Sequence, residues 1–208
     1  MTNLPTQLEP TLASRLADHV DAERKLGRAL ESLGPLRDRD VALLDGGAIG
    51  RREAEAIGAR VTAVASAEAT GLPEASMDAV LSLWSAFRGP DPAQVAEADR
   101  ILRPGGRLLV VHDYGRDDIS RLRPGDHPEY GPWSRREGPF LAAGWRIRVV
   151  HCWWTFDSLD DAATALEAAF GTLGADLAAG LTRPRLSYNV AIYHRSRSMP
   201  ADGGGESA

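Results

Sequence analysis

Ile101-Leu102-Arg103-Pro104-Gly105-Gly106-Arg107-Leu108-Leu109-Val110-Val111 passes from the end of one element through the whole of the next. Proline cannot continue a helix and glycine lets the chain turn, so a helix should stop at Pro104-Gly105-Gly106. The run after Arg107 is apolar at every position. Strands of that kind are covered on both faces and belong to parallel sheets between helical layers. Upstream, Asp91-Pro92-Ala93-Gln94 offers an N-cap carboxylate, proline at the first helical position and Gln at the third, which predicts a helix from there to Leu102. Before it, Leu72-Pro73-Glu74 marks a loop and Ala79-Val80-Leu81-Ser82-Leu83 reads as a strand. Downstream, His112-Asp113-Tyr114 lies at the carboxyl end of the apolar strand, the edge at which open α/β sheets bind ligands.

The same alternation extends to both ends of the chain. Leu12, Leu16, Val20, Leu26, Leu30 and Leu33 keep one helical face apolar up to Gly34-Pro35. Val41-Ala42-Leu43-Leu44 is a short buried strand running into Asp45-Gly46-Gly47, Arg51 to Ile57 a weak helix, and Arg60 to Ala65 a Val- and Thr-rich strand. Ser134-Arg135-Arg136-Glu137 has the form of a capping box opening a helix closed by Gly144. Arg146 to Trp153 reads as a strand, Ser158 caps a long helix carrying Leu159, Leu166, Phe170, Leu173 and Leu177, and Leu186 to His194 is a last strand. Strands and helices alternating at this spacing specify a three-layer α/β sandwich with a mainly parallel sheet. The organisation expected is an N-terminal helical segment over residues 1–36, an α/β domain over 37–195 and a small, polar tail over 196–208.

The chain has 208 residues with 43% hydrophobic and 25% charged residues, ordinary for one globular domain. No stretch approaches the ~18 apolar residues of a membrane span, and Met1 to Pro10 has no secretory pattern, so a cytoplasmic home is expected. The lone cysteine, Cys152, excludes an internal disulfide and a thiolate-rich metal site, and a strand position reads as core. A net charge of −5 argues against a dedicated nucleic-acid binder, leaving room only for a local basic patch. Asp117, Asp118 and His127 stand near one another but without a fixed ligand spacing, and no metal site is assigned.

Three blocks, Leu43-Leu44-Asp45-Gly46-Gly47-Ala48-Ile49-Gly50, Leu72-Pro73-Glu74-Ala75-Ser76-Met77-Asp78-Ala79-Val80-Leu81-Ser82 and Ile101 to Val111, resemble in that order the landmarks of class I S-adenosylmethionine-dependent methyltransferases. The resemblance spans roughly residues 38 to 115 and implies a Rossmann-like methyltransferase fold with S-adenosylmethionine as cofactor. An adenosyl cofactor needs a glycine-rich turn after the first strand and a carboxylate after the second for the ribose hydroxyls. Asp45, Gly47 and Gly50 are the candidates for its amino-acid end. The turn is one residue shorter than the family pattern and carries β-branched Ile49, and a parallel strand entering a helix needs a tight turn in any case. Ser66 stands where the carboxylate is expected and Glu68 is the nearest acid. The interval from Asp45 to Asp78 holds one helix and one strand where the family would place two strand–helix units, and a βαβ unit takes ~30 residues. Either the second strand leads straight to the fourth, with the edge strand lost, or strands two and three have fused.

Within that resemblance His112 is a candidate general base, Asp113 its orienting acid and Tyr114 a pocket wall. Trp84, after the third predicted strand, could stack on the adenine or on an aromatic substrate, although tryptophans at element ends often simply pack. No Gly-x-Ser-x-Gly elbow and no phosphate-binding Walker loop is present. Two functions follow. One is methyl transfer to a small-molecule acceptor. The other is a methyltransferase fold that no longer binds the cofactor and serves as a binding subunit or a repurposed enzyme. A homodimer through the sheet edge exposed by the missing unit is also expected.

Overall fold

The order of the strands across the sheet decides which part of the architecture is missing. In the computed structural model, which describes residues 16, 19–44, 48–122 and 130–197, the sheet contains β1 (Asp40–Leu44), β2 (Arg60–Val64), β3 (Met77–Leu83), β4 (Leu102–Asp113), β5 (Arg146–Thr155) and β6 (Arg185–Ser196). Their order is β2-β1-β3-β4-β6-β5. β1 pairs in parallel with β2 and β3, and β3 with β4, whereas β6 runs antiparallel to both β4 and β5. The mainly parallel sandwich expected from the alternation is therefore what forms. β2 passes by a loop directly into β3, without a further strand and helix, so the first alternative holds: the edge strand is lost and β2 has become the edge.

Helices α1 (Lys25–Leu33), α2 (Ala48–Ile57), α3 (Pro92–Ile101), α4 (Tyr130–Trp133), α5 (Pro139–Ala142), α6 (Leu159–Phe170) and α7 (Thr172–Ala179) cover the sheet. Alternation along the strands divides the buried side chains between two layers. Leu43, Leu81, Leu109 and Ile192 face α1, α2, α6 and α7, while Leu44, Val80, Val110 and Tyr193 face α3, α4 and α5. Leu26 and Leu30 of α1 sit in the first of these cores together with Val41 and Leu43.

Local chemistry sets several element ends. The Asp91 carboxylate accepts from the backbone N–H groups of Ala93 and Gln94, both at 3.0 Å, and Pro92 follows, as the sequence pattern predicts. Ser158 caps α6 by accepting from Asp161 N–H. Pro104 and Gly105 do not lie outside β4 but form an irregularity inside it, where the pairing jumps from Met77–Leu102 to Ala79–Arg107. A Cβ on Gly106 would lie 2.8 Å from the Arg103 carbonyl oxygen, a close approach that admits glycine only. Beside this turn the Arg103 guanidinium joins Asp78 at 2.9 Å and Asp40 at 3.2 Å, tying the amino ends of β1 and β3 together.

Three expectations need correction. The opening helix is not continuous: Leu16 is helical, but Val20 is bridged to Trp154 of β5, Asp21 and Arg24 have positive φ (51° and 53°), and a separate helix starts at Lys25. The reason is Asp21, whose buried carboxylate accepts from the N–H groups of Lys25 and Leu26 at 2.9 and 2.6 Å and satisfies the helix start from outside. Leu12 lies outside the described residues. The Ser134–Glu137 capping box does not form. Ser134 donates instead to the Gly131 carbonyl, and the helix begins at Pro139 after Gly138, where a Cβ would meet the Pro132 oxygen at 2.3 Å. The long helix after Ser158 is two helices, broken at Gly171 (φ 59°) so that Gly174 can lie against the Leu166 backbone. The expected polar tail lies, from residue 198, outside the described residues.

Glu53 of α2 is largely buried near Asp21, and burial first, then the Asp21 charge, raises its carboxyl pKa. A carboxyl whose folded pKa exceeds its unfolded value favours the fold at low pH, and that contribution disappears as pH rises through the folded value. Glu53→Gln is therefore expected to melt higher than the parent at pH 7 and level with it below pH ~4, where the unfolded carboxyl is also protonated. Equal melting temperatures at both pH values would refute this.

Candidate active site

The carboxyl ends of β1, β3 and β4 meet at one edge of the sheet, joined by side-chain hydrogen bonds rather than by strand pairing alone. Ser85, just past β3, donates to the Leu44 carbonyl at the last residue of β1 (2.9 Å), and its Oγ lies 3.1 Å from that of Ser82. Ser82 in turn accepts from Ala86 N–H and donates to the Ala86 carbonyl. The turn after β3 is held in an unusual backbone shape, with positive φ at Trp84 (54°) and Phe87 (59°). Such conformations cost about 1–3 kcal/mol for residues with a side chain, and the surroundings must enforce them.

Two residues of β4 do so. His112, 1% exposed, has its Nε2 2.9 Å from the Phe87 carbonyl. A carbonyl only accepts, so that nitrogen carries the proton. The imidazole packs against Trp133, with ring centroids 4.9 Å apart. Asp113, also 1% exposed, accepts on Oδ1 from the Trp84 indole N–H at 2.9 Å and from the Tyr188 hydroxyl at 2.6 Å. Trp84 and Tyr188 stack with an interplanar angle of 22°. His112 and Asp113 are thus inside the fold, anchoring the turn that shapes the edge, and Tyr114 is the only one of the three that is partly exposed. The Arg116 guanidinium lies 5.7 Å above the Tyr114 ring.

At the end of β2, Ser66 and Glu68 are both exposed. The Ser66 oxygen accepts from the N–H groups of Glu68 and Ala69, both at 3.3 Å. The loop after it is pinned to α3: Thr70 donates backbone N–H and hydroxyl to Glu97, which pairs with Arg100, and Arg100 donates to the Leu72 carbonyl. The Arg100 guanidinium holds the Glu97 carboxyl well below its ordinary value, at about 2. Asp45 and Gly47 lie outside the described residues, and Gly50 falls in the first turn of α2.

The structure therefore brings Trp84 and Asp113 together and keeps Ser66 and Glu68 on a separate loop. Tyr188, Ser82 and Ser85 share the edge but escape sequence reasoning. Tyr188 lies seventy-five residues from Asp113, and Ser82 and Ser85 look like any small polar residues at a strand end. Asp117 and Asp118 serve the fold, accepting from Asn189 N–H and from the Ser187 N–H and hydroxyl. Among the described residues no three His, Cys, Asp or Glu side chains come together as a metal site. His127 is outside those residues. Cys152 is buried in the core, and burial raises its thiol pKa. No described helix is long and apolar enough to cross a membrane.

Residues 26–110 match the profile of a family described as a methyltransferase domain. No curated protein matches the chain. Among solved structures, a protein of Anaeromyxobacter dehalogenans provisionally described as a type II methyltransferase superposes with TM-score 0.54 at 20% identity, covering 85% of this chain and 97% of its own. An S-adenosylmethionine-dependent methyltransferase of Aquifex aeolicus gives 0.47 at 16%, covering 87% and 92%. A Haemonchus contortus phosphoethanolamine N-methyltransferase in complex with S-adenosylmethionine gives 0.44 at 15%, covering 84% and 52%.

Proposed function

We propose that this chain is a class I S-adenosylmethionine-dependent methyltransferase that binds S-adenosylmethionine and methylates a small-molecule acceptor, a reading supported by the domain match over residues 26–110 and by the sheet architecture. The observation that supports it most is the edge itself. The carboxyl ends of β1, β3 and β4, the edge at which the family's cofactor cleft lies, are drawn together by Ser85, Trp84 and Asp113, with positive φ at Trp84 and Phe87. The described residues fit an adenosyl group at one further point, since Glu68 leaves an exposed carboxylate beyond β2 to accept from hydroxyl or amine donors.

The cofactor supplies an electrophilic methyl group on sulfur, open to in-line attack by the acceptor. The protein's part is mainly to place the two reactants, and fixed geometry can account for ~7–11 kcal/mol of a barrier. On this reading Glu68 grips the adenosine, Trp84 and Tyr114 form walls, and His112 and Asp113 are positioning residues that hold the β3 turn and Trp84 in place.

One observation favours the second reading, a fold retained without the cofactor. The Ser66 oxygen is already taken by its own loop, and no carboxylate ends β2. Melting curves separate the two. S-adenosylmethionine or S-adenosylhomocysteine at 100 times its dissociation constant stabilises by ~2.7 kcal/mol, a shift of several degrees in a domain of this size. Glu68→Ala should reduce the shift. No shift with either compound at millimolar concentration favours the second reading.

A further inference from the structure

The outer strand β5 and helix α1 enclose a groove of about 390 Å³ lined by Lys25, Arg28, Ser32, Arg148 and His151. Its two guanidiniums are held by neutral atoms. The Arg148 guanidinium donates to the Ser32 hydroxyl at 2.6 Å, and Arg28 donates to the backbone carbonyl of Glu23. Lys25 pairs with the Glu23 carboxylate at 2.7 Å. Among the described residues neither Arg28 nor Arg148 has a carboxylate within ion-pair distance, in a chain whose net charge is −5.

The positive field continues past the groove toward the amino ends of the strands. Arg146 is paired opposite His194 on β6, and Arg107 begins the apolar run of β4, donating to the Ser196 hydroxyl. Burial lowers the His194 pKa, and the charges of Arg146, Arg107 and Arg148 lower it further. All of these groups lie on the α1 side of the sheet. Arg146 and Arg107 stand at the amino ends of β5 and of the main run of β4, opposite the edge discussed above.

We propose that this groove is a binding site for a phosphoryl dianion, either free phosphate or the phosphate of a small monoester. Guanidinium forks match tetrahedral oxyanions in two-point contacts. Two guanidiniums without a carboxylate partner, with the Lys25 ammonium beside them, suit a group carrying about two charges and several acceptor oxygens better than one carboxylate. The groove is too small for a nucleic-acid helix, and the negative chain as a whole repels a long polyanion.

Calorimetric titration of the whole chain with inorganic phosphate and with glycerol 3-phosphate, at ionic strength matched with chloride, tests the site. Saturable binding of either is expected, weakened about tenfold or more in Arg148→Gln, an exposed position at which the variant should fold. Tighter binding of the ester than of phosphate identifies a monoester ligand, and equal binding identifies the free ion. The imidazole pKa of His194, read by NMR, should rise when the anion binds. The thermal shift with S-adenosylhomocysteine should be the same in Arg148→Gln as in the parent, so failure here and failure of the methyltransferase reading are distinguishable. Heat that the chloride control reproduces, or binding unchanged in Arg148→Gln, overturns the proposal.

Discussion

Trp154→Ala is expected to lower the unfolding free energy by about 4 kcal/mol, a fall of roughly 10 °C in melting temperature for a chain of this length. Trp154 has no exposed surface, and its ring meets Tyr188 edge-on and lies tilted against Phe170, with centroids 6.3 Å away in both cases. Its backbone is the bridge partner of Val20. One side chain thus joins β5, β6, α6 and the segment before α1, and its removal leaves a cavity that four elements cannot close together. The indole nitrogen is buried without a hydrogen-bond partner among the described residues, so Trp154→Phe removes an unsatisfied donor together with some packing. It should cost clearly less than alanine. A loss under about 2 kcal/mol for Trp154→Ala, by denaturant unfolding, would show that the core relaxes around the deletion.

The second large effect is expected at Asp113. Alanine there removes the common acceptor of the Trp84 indole and the Tyr188 hydroxyl. Each buried donor left unpaired costs ~1–3 kcal/mol, so a loss of about 3 kcal/mol is expected, accompanied by loss of the thermal shift with S-adenosylhomocysteine as the β3 turn loosens. Tyr188→Phe removes one of the two bonds and should cost about 1 kcal/mol. In Asp113→Ala the same change should be nearly silent, because the interaction is already gone. Additive losses would mean that the two residues do not work through one another. An Asp113→Ala variant that keeps both stability and the ligand shift would remove the positioning role assigned to Asp113.

Much of this architecture is legible from one sequence because it rests on neighbours in the chain. The Asp91 cap, the Pro92 start and the Ser158 cap each use groups within three residues of one another, and the apolar run of β4 needs only its own composition. Legibility fails where a distant group intervenes. Asp21 replaces a continuous helix by a bridge and a cap, since its carboxylate reaches two N–H groups while Val20 pairs with Trp154 across the fold. The pattern Ser134–Glu137 has the residues of a capping box, but Gly138 and Pro139 offer a better start to a helix pressed against the carbonyls of Pro132 and Trp133.

The candidate site divides in the same way. Position at the carboxyl end of β4 draws attention to His112 and Asp113, and chain order puts them at the correct edge. Their partners, Phe87, Trp84 and Tyr188, come from elsewhere in the chain, and those partners are why both side chains are buried.

Residue types and spacing by themselves determined the alternation of strands and helices, the helix caps, the turn at Pro104-Gly105-Gly106 and the shortfall of one strand–helix unit. Those features depend on local backbone conformation and on hydrophobic period, which short segments carry with them. Only the tertiary structure decided that β6 enters antiparallel between β4 and β5, that β2 is the bare edge, that His112 and Asp113 face inward, and that arginines from α1, β4 and β5 share one side of the sheet. Such facts arise when segments far apart in the chain compete for the same buried surface and the same hydrogen bonds, and the winner is settled by the whole packed core.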